Sequence, residues 1–238
     1  MKNAVYILHG WAIRSGNLNE EKWNPFIEQL KKNNDLNVIF LKIPGLSAPL
    51  NEVWDLDDFV HWLEIEVNKK SEDDKVILIG HSFGGQIAIR FTAKNPDRVS
   101  KLVLIDSAGI RDMSARAIIK RTAFLILAKV GKILFKASLF RDLLYKFARE
   151  DDYKNAPPLL RRTMSQILDD EIVDDLPKVC CQTKIIWGEA DMSTPVKHAY
   201  QMQKTIKNSE LFFVKDARHS PQFTHVAETA KVVGEFLK

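Results

Sequence analysis

The chain has 238 residues, 45% hydrophobic and 28% charged, which excludes a disordered, collagen-like or membrane-embedded protein and leaves one main domain with a sizeable core. Its formal net charge of +4 is too small to argue for a nucleic-acid partner, and the basic excess is local: residues 107–162 hold 13 basic and 5 acidic side chains. The two cysteines, Cys180 and Cys181, are adjacent, where a bridge would close almost no loop, so a reducing compartment and a cytoplasmic location are expected. The apolar run at residues 4–8 is too short for the core of a signal peptide.

In chain order, short β-rich runs alternate with amphipathic stretches. Residues 4–8 read as a strand, 20–32 as a helix and 37–41 as a second strand. A helix over 56–70 leads to a strand at 75–79, and a helix over 84–94 to a strand at 101–105. Strands at 184–187 and 210–214, with helices over 196–206 and 224–237, complete the pattern. The runs Val76-Ile77-Leu78-Ile79 and Leu102-Val103-Leu104-Ile105 are apolar at every position, as strands covered on both faces are. Such alternation predicts an α/β fold: a mostly parallel sheet of about six strands with helices on both faces. From Ser107 to Leu176 only helical material is expected. The predicted organisation is therefore a core of residues 1–106 and 177–238, interrupted by an inserted helical cap over 107–176. Lys129, Lys132 and Lys136 recur at helical spacing in that cap, so no transmembrane segment is expected there.

The chemistry begins at Gly80-His81-Ser82-Phe83-Gly84-Gly85, between a predicted buried strand and a predicted helix, the setting of a Gly-x-Ser-x-Gly nucleophile elbow. A glycine-rich phosphate loop is the bland alternative, but Gly-x-Gly-x-x-Gly and Gly-Lys-Ser/Thr are both absent. A serine hydroxyl is a weak nucleophile and needs a histidine base, which in turn needs an acceptor to fix its tautomer. His9 and His81 sit in glycine motifs, His61 and His198 fall in predicted helices where a solvated side chain is the default, and His225 falls near the start of the final helix. His219 follows the last strand in Asp216-Ala217-Arg218-His219-Ser220-Pro221, where a base belongs if the site lies at the carboxyl ends of the strands. Asp191, in the loop after the fifth strand, is the expected acid. Asp106 is the main rival, more readily read as a turn or hinge residue, and Glu189 a weaker one. Donors for an oxyanion are expected from the Phe83 N–H, directly after the nucleophile, and the Trp11 N–H, in the loop after the first strand. His9 reads as a structural brace of that loop.

His9-Gly10-Trp11, the Gly80–Gly85 elbow, Gly188-Glu189-Ala190-Asp191 and His219-Ser220-Pro221 together resemble the α/β-hydrolase superfamily, in its capped, single-domain group of small esterases and lyases. The resemblance implies a triad of Ser82, Asp191 and His219, acyl-enzyme chemistry, and neither a metal nor an organic cofactor. Serine at the elbow sets the chain apart from the dehalogenase and epoxide-hydrolase branches, which use aspartate. Two departures stand out. The two antiparallel strands that often open this fold are missing before the His-Gly strand, and Arg218 stands where relatives often have glycine before the histidine.

The expected function is that of a carboxylesterase-like serine hydrolase acting on a small-molecule partner, a largely apolar ester of small to medium size. A C–C bond hydrolase or lyase with the same triad is the alternative, and a non-catalytic ligand-binding module a more distant one. Phe124, Leu125, Phe135, Phe140, Phe147 and Met164 are candidate acyl-pocket residues, although ordinary cap core is the plainer reading.

Overall fold

Six strands pair edge to edge in one sheet. β1 (Ala4–Leu8), β2 (Asn37–Leu41), β3 (Val76–His81), β4 (Val99–Ile105), β5 (Gln182–Gly188) and β6 (Ser209–Val214) lie in the order β2-β1-β3-β4-β5-β6, and every neighbouring pair is parallel. The computed structural model describes residues 4–11, 18–32, 35–71, 75–111 and 156–238. The expected cap helices and aromatic pocket residues between 112 and 155 lie outside these.

The apolar runs make a two-faced core because successive strand residues point to opposite sides. Tyr6, Leu8, Leu78, Leu102, Leu104, Ile185 and Trp187 face one way, against Phe59 and Leu63 of α2 (Leu56–Ser71) and Ile87 and Phe91 of α3 (Phe83–Lys94). Val5, Ile7, Ile77, Ile79, Val103, Ile105 and Ile186 face the other way. They meet Trp23, Phe26 and Leu30 of α1 (Leu18–Lys32) and Ala230, Val233 and Leu237 near the carboxyl terminus. A strand buried on both faces needs apolar residues at every position, which is why these runs do not alternate.

Two strands reach beyond their expected ends. The ladder Gly80↔Leu104 and His81↔Ile105 carries β3 into the glycine motif, and β4 starts at Val99, opposite Val76. After residue 111 the described chain resumes at Ala156 and enters α4 (Pro158–Asp169), which, with Asp170 at its end, is tied back to the core. Thr163 Oγ1 accepts the Trp54 N–H, Asp170 Oδ2 accepts the Leu56 N–H, and Gln86 Nε2 donates to the Asp170 carbonyl at 2.8 Å. α5 (Val196–Thr205) follows β5. The single helix expected over 224–237 is two pieces, α6 (Pro221–Thr224) and α7 (Val226–Leu237), divided at His225, whose φ of −127° is not helical. His198 departs from its expected solvated state: it is buried on the α5 face that also buries Ala199 and Met202. Among the described residues no helix is long and apolar enough to cross a membrane.

The strand order makes the chain step outward from β1 to β2 and then back to β3 on the other side. The loops after β1 and β3 thus diverge from a common point at the carboxyl edge of the sheet, the usual position for a site in an open parallel sheet.

Candidate active site

Ser82 occupies the turn between β3 and α3 with φ 52° and ψ −116°, a backbone conformation that non-glycine residues rarely adopt and that costs about 1–3 kcal/mol. Its surroundings enforce it. The Ser82 N–H donates to the Ile105 carbonyl at 3.1 Å, while its own carbonyl accepts from the N–H groups of Gly85, Gln86 and Ala108. A side chain at position 84 would strike the Leu8 carbonyl, and a Cβ at position 80 would lie 2.6 Å from the Gly85 Cα. The two glycines of the motif therefore let helix and strand close up behind the serine.

Across the site, Ser82 Oγ lies 3.0 Å from His219 Nε2, and His219 Nδ1 lies 2.8 Å from Asp191 Oδ2. These groups come from three loops at one sheet edge, after β3, β5 and β6. The Asp191 loop is anchored by Trp187, whose buried indole N–H donates to the Thr194 carbonyl, and by the Ala190 N–H, which donates to the Ala217 carbonyl in the His219 loop. Asp191 also accepts the N–H groups of Ser193 and Thr194 on Oδ1 and the Thr194 hydroxyl on Oδ2. Burial works to raise its carboxyl, but His219 and these donors outweigh burial and hold it below the usual carboxylate range.

His81 lies behind His219. It donates Nε2–H to the His219 carbonyl at 2.8 Å, and its ring packs against Trp23 and Phe223. Burial, then the charge of His219, push it down to about 3, so it serves as a neutral donor. His9 stacks on Phe40 and bonds the Gly10 carbonyl and Ser47 Oγ; burial pushes it down to about 4. It braces the loop after β1, as its position suggested.

Asp106, the rival acid, makes no bond to His219. It follows β4 directly, with φ 43°, fully buried, its Oδ1 accepting the Gly188 N–H at 2.9 Å. Burial pushes its carboxyl up to about 8, against that hydrogen bond and with the help of neighbouring Asp191. His81, Asp106 and His219 are near enough to be mistaken for a metal-ligand cluster, but the His219 nitrogens already face Ser82 and Asp191, and His81 Nε2 is bonded to the His219 carbonyl. Glu189 is exposed, and His61 pairs with Glu64 on the surface. Thr194 was not singled out from sequence. Its signal was an aspartate followed two and three residues later by Ser-Thr, whose N–H groups close back on the carboxylate.

Phe83, the first residue of α3, carries an N–H that has no helical acceptor, and Trp11 stands directly after His9-Gly10. Their rings meet edge to face at 5.3 Å, and the contact continues through Phe59 to Trp54 as an aromatic wall. Met164 is partly buried against the core on this face of the sheet.

Residues 3–226 match the family described as alpha/beta hydrolase fold, and the chain belongs to that family. Among curated relatives it is 23% identical to the pimeloyl-[acyl-carrier protein] methyl ester esterase of Aliivibrio salmonicida, over 98% of this chain and 92% of that one. It is 27% identical to the 2-hydroxy-6-oxononadienedioate/2-hydroxy-6-oxononatrienedioate hydrolase of Escherichia coli K12, over 98% and 86%. Among solved structures, a serine hydrolase involved in carbazole degradation shares the fold with a TM-score of 0.73 at 21% identity, covering 99% of this chain and 90% of that one.

Proposed function

We propose that this α/β hydrolase is a serine esterase that cleaves carboxylic ester bonds of small to medium, largely apolar substrates through an acyl-enzyme. The observation that carries this reading is the continuous relay from Ser82 Oγ through His219 to Asp191, at 3.0 and 2.8 Å. In the proposed mechanism His219 takes the Ser82 proton as Oγ attacks the ester carbonyl, and Asp191 holds the ring and stabilises the imidazolium. The N–H groups of Trp11 and Phe83 receive the oxyanion, aided by the positive end of α3. His219 then protonates the leaving alcohol and activates the water that releases the acid. Trp11, partly buried and edge to face with Phe83 directly after Ser82, supports an apolar substrate group beside the nucleophile.

Hydrolysis of p-nitrophenyl esters from acetate to decanoate, by wild type and Ser82→Ala in parallel, tests this. Turnover should fall by at least about a thousandfold in the variant with the fold intact. Wild-type rates retained by Ser82→Ala would end the proposal. The likeness to the Escherichia coli hydrolase favours a second reading, C–C bond hydrolysis of a 2-hydroxy-6-oxo dienedioate with the same serine and histidine. Turnover of such a substrate without turnover of any ester would select it.

A further inference from the structure

Asp106 is a buried carboxyl that the proposed chemistry leaves unused. Its Oδ1 takes the Gly188 N–H, but its Oδ2, also enclosed, has no hydrogen-bond donor. No cation faces it. The ionisable groups around it are His81 at the end of β3, Asp191 in the loop after β5 and His219 in the loop after β6, with Gly188 and Thr194 adding uncharged groups. Asp191 acts on Asp106 as a neighbouring carboxyl; two neighbouring carboxyls away from water do not both ionise, and the proton settles on the one with fewer donors. Asp191 is served by Ser193 N–H, Thr194 N–H, the Thr194 hydroxyl and His219, whereas Asp106 is served by Gly188 alone. The direction in which each group is pushed agrees: Asp106 up, to about 8, and Asp191 down.

We propose that Asp106 is a positioning residue that stays protonated at neutral pH and donates its hydroxyl to the Asp191 carboxylate, holding that carboxylate against His219. The inference rests on the triad reading above. The orphaned Oδ2 is then a donor, and Asp191 is fixed from both sides, by its own loop and by the end of β4. When Asp106 loses its proton the hydrogen bond is lost, and a second negative charge pushes Asp191 out of line with His219. Reactivity of Ser82 should therefore fall on the alkaline side.

The test measures ester kcat/KM and the rate of Ser82 phosphonylation by a fluorophosphonate from pH 6 to 10, with Ser82→Ala as the blank. Wild type should decline with a midpoint near 8. Asp106→Asn keeps an N–H donor, tolerates the positive φ and cannot ionise, so it should match wild type within about threefold at pH 7 and stay flat above pH 8. Asp106→Ala should lose about tenfold at pH 7 and show no alkaline decline. Infrared difference spectra read the proton without catalysis: wild type should show a carboxylic-acid C=O band at pH 7 that Asp106→Asn removes. An alkaline decline unchanged in Asp106→Asn, or no such band, overturns the proposal. Absence of Ser82 phosphonylation at every pH would instead bring down the triad reading, and the positioning role with it.

Discussion

His9 and His81 are held neutral because a protonated imidazole would lose its water in the core without gaining a carboxylate partner. Their ordinary value is 6.5, and the folded state moves them to about 4 and about 3. Between those limits the unfolded chain binds more protons, so their contribution is full above pH 6.5 and is lost as pH falls through the window. Asp106 works the other way. Raised from 3.8 to about 8, it gives stability that is fully present below 3.8 and is lost as pH rises through 8. The wild-type stability curve therefore sums opposing slopes, and a variant isolates one. His81→Gln, whose amide nitrogen can take the place of Nε2 as donor to the His219 carbonyl, should gain about 2 kcal/mol relative to wild type between pH 7 and pH 5, read from urea denaturation at each pH. A constant difference between the two proteins would mean that His81 takes up its proton as readily in the fold as in the unfolded chain.

The junction of β3 and α3 shows how a short motif becomes a site. The ladder to β4 runs through His81, and the chain then turns abruptly enough that Gly80 and Gly85 nearly touch. Gly80→Ala must separate strand from helix because the obstacle is backbone, which cannot rotate away. We expect a loss of about 3 kcal/mol or more in stability and no Ser82 labelling by a fluorophosphonate. A variant that melts and labels like wild type would refute this account of the turn. The elements on either side were readable in the sequence because continuous apolar runs and amphipathic periods are local. Their ends were less so. β3 and β4 are longer than their composition suggests because neighbouring strands extend the ladder, and the final helix divides at His225.

The returning chain after α4 is fastened to the core through one guanidinium. Arg90 of α3 bonds Asp175 through Nε, Asp57 of α2 at 2.9 Å and the Glu171 carbonyl at 2.7 Å. Asp175 is 9% exposed in its side chain, so removing Arg90 leaves a carboxylate nearly out of water with the largely exposed Lys178 ammonium, at 3.5 Å, as its remaining ion pair among the described residues. Arg90→Met should cost about 2–4 kcal/mol by chemical denaturation, and Arg90→Lys should recover little, since an ammonium cannot span all three acceptors. Lys94→Ala, which removes an exposed pair with Asp57, should cost less than about 1 kcal/mol. Equal effects of Arg90→Met and Lys94→Ala would show that the buried link has no special weight.

The α/β architecture, the parallel sheet and the position of Ser82 at a strand-to-helix turn were written in short stretches of sequence, where each signal depends on residues within a few positions of one another. The meeting of Ser82 with His219, 137 residues apart, was not, nor was the choice between two carboxylates at one sheet edge. That choice follows from the parallel register of β4 on β5 and from the closing of the Asp191 loop on its own N–H groups. Asp191 is turned toward His219, and Asp106 toward the backbone of Gly188. Distances of this kind are fixed by how several strands end together, and no local pattern of residues encodes them.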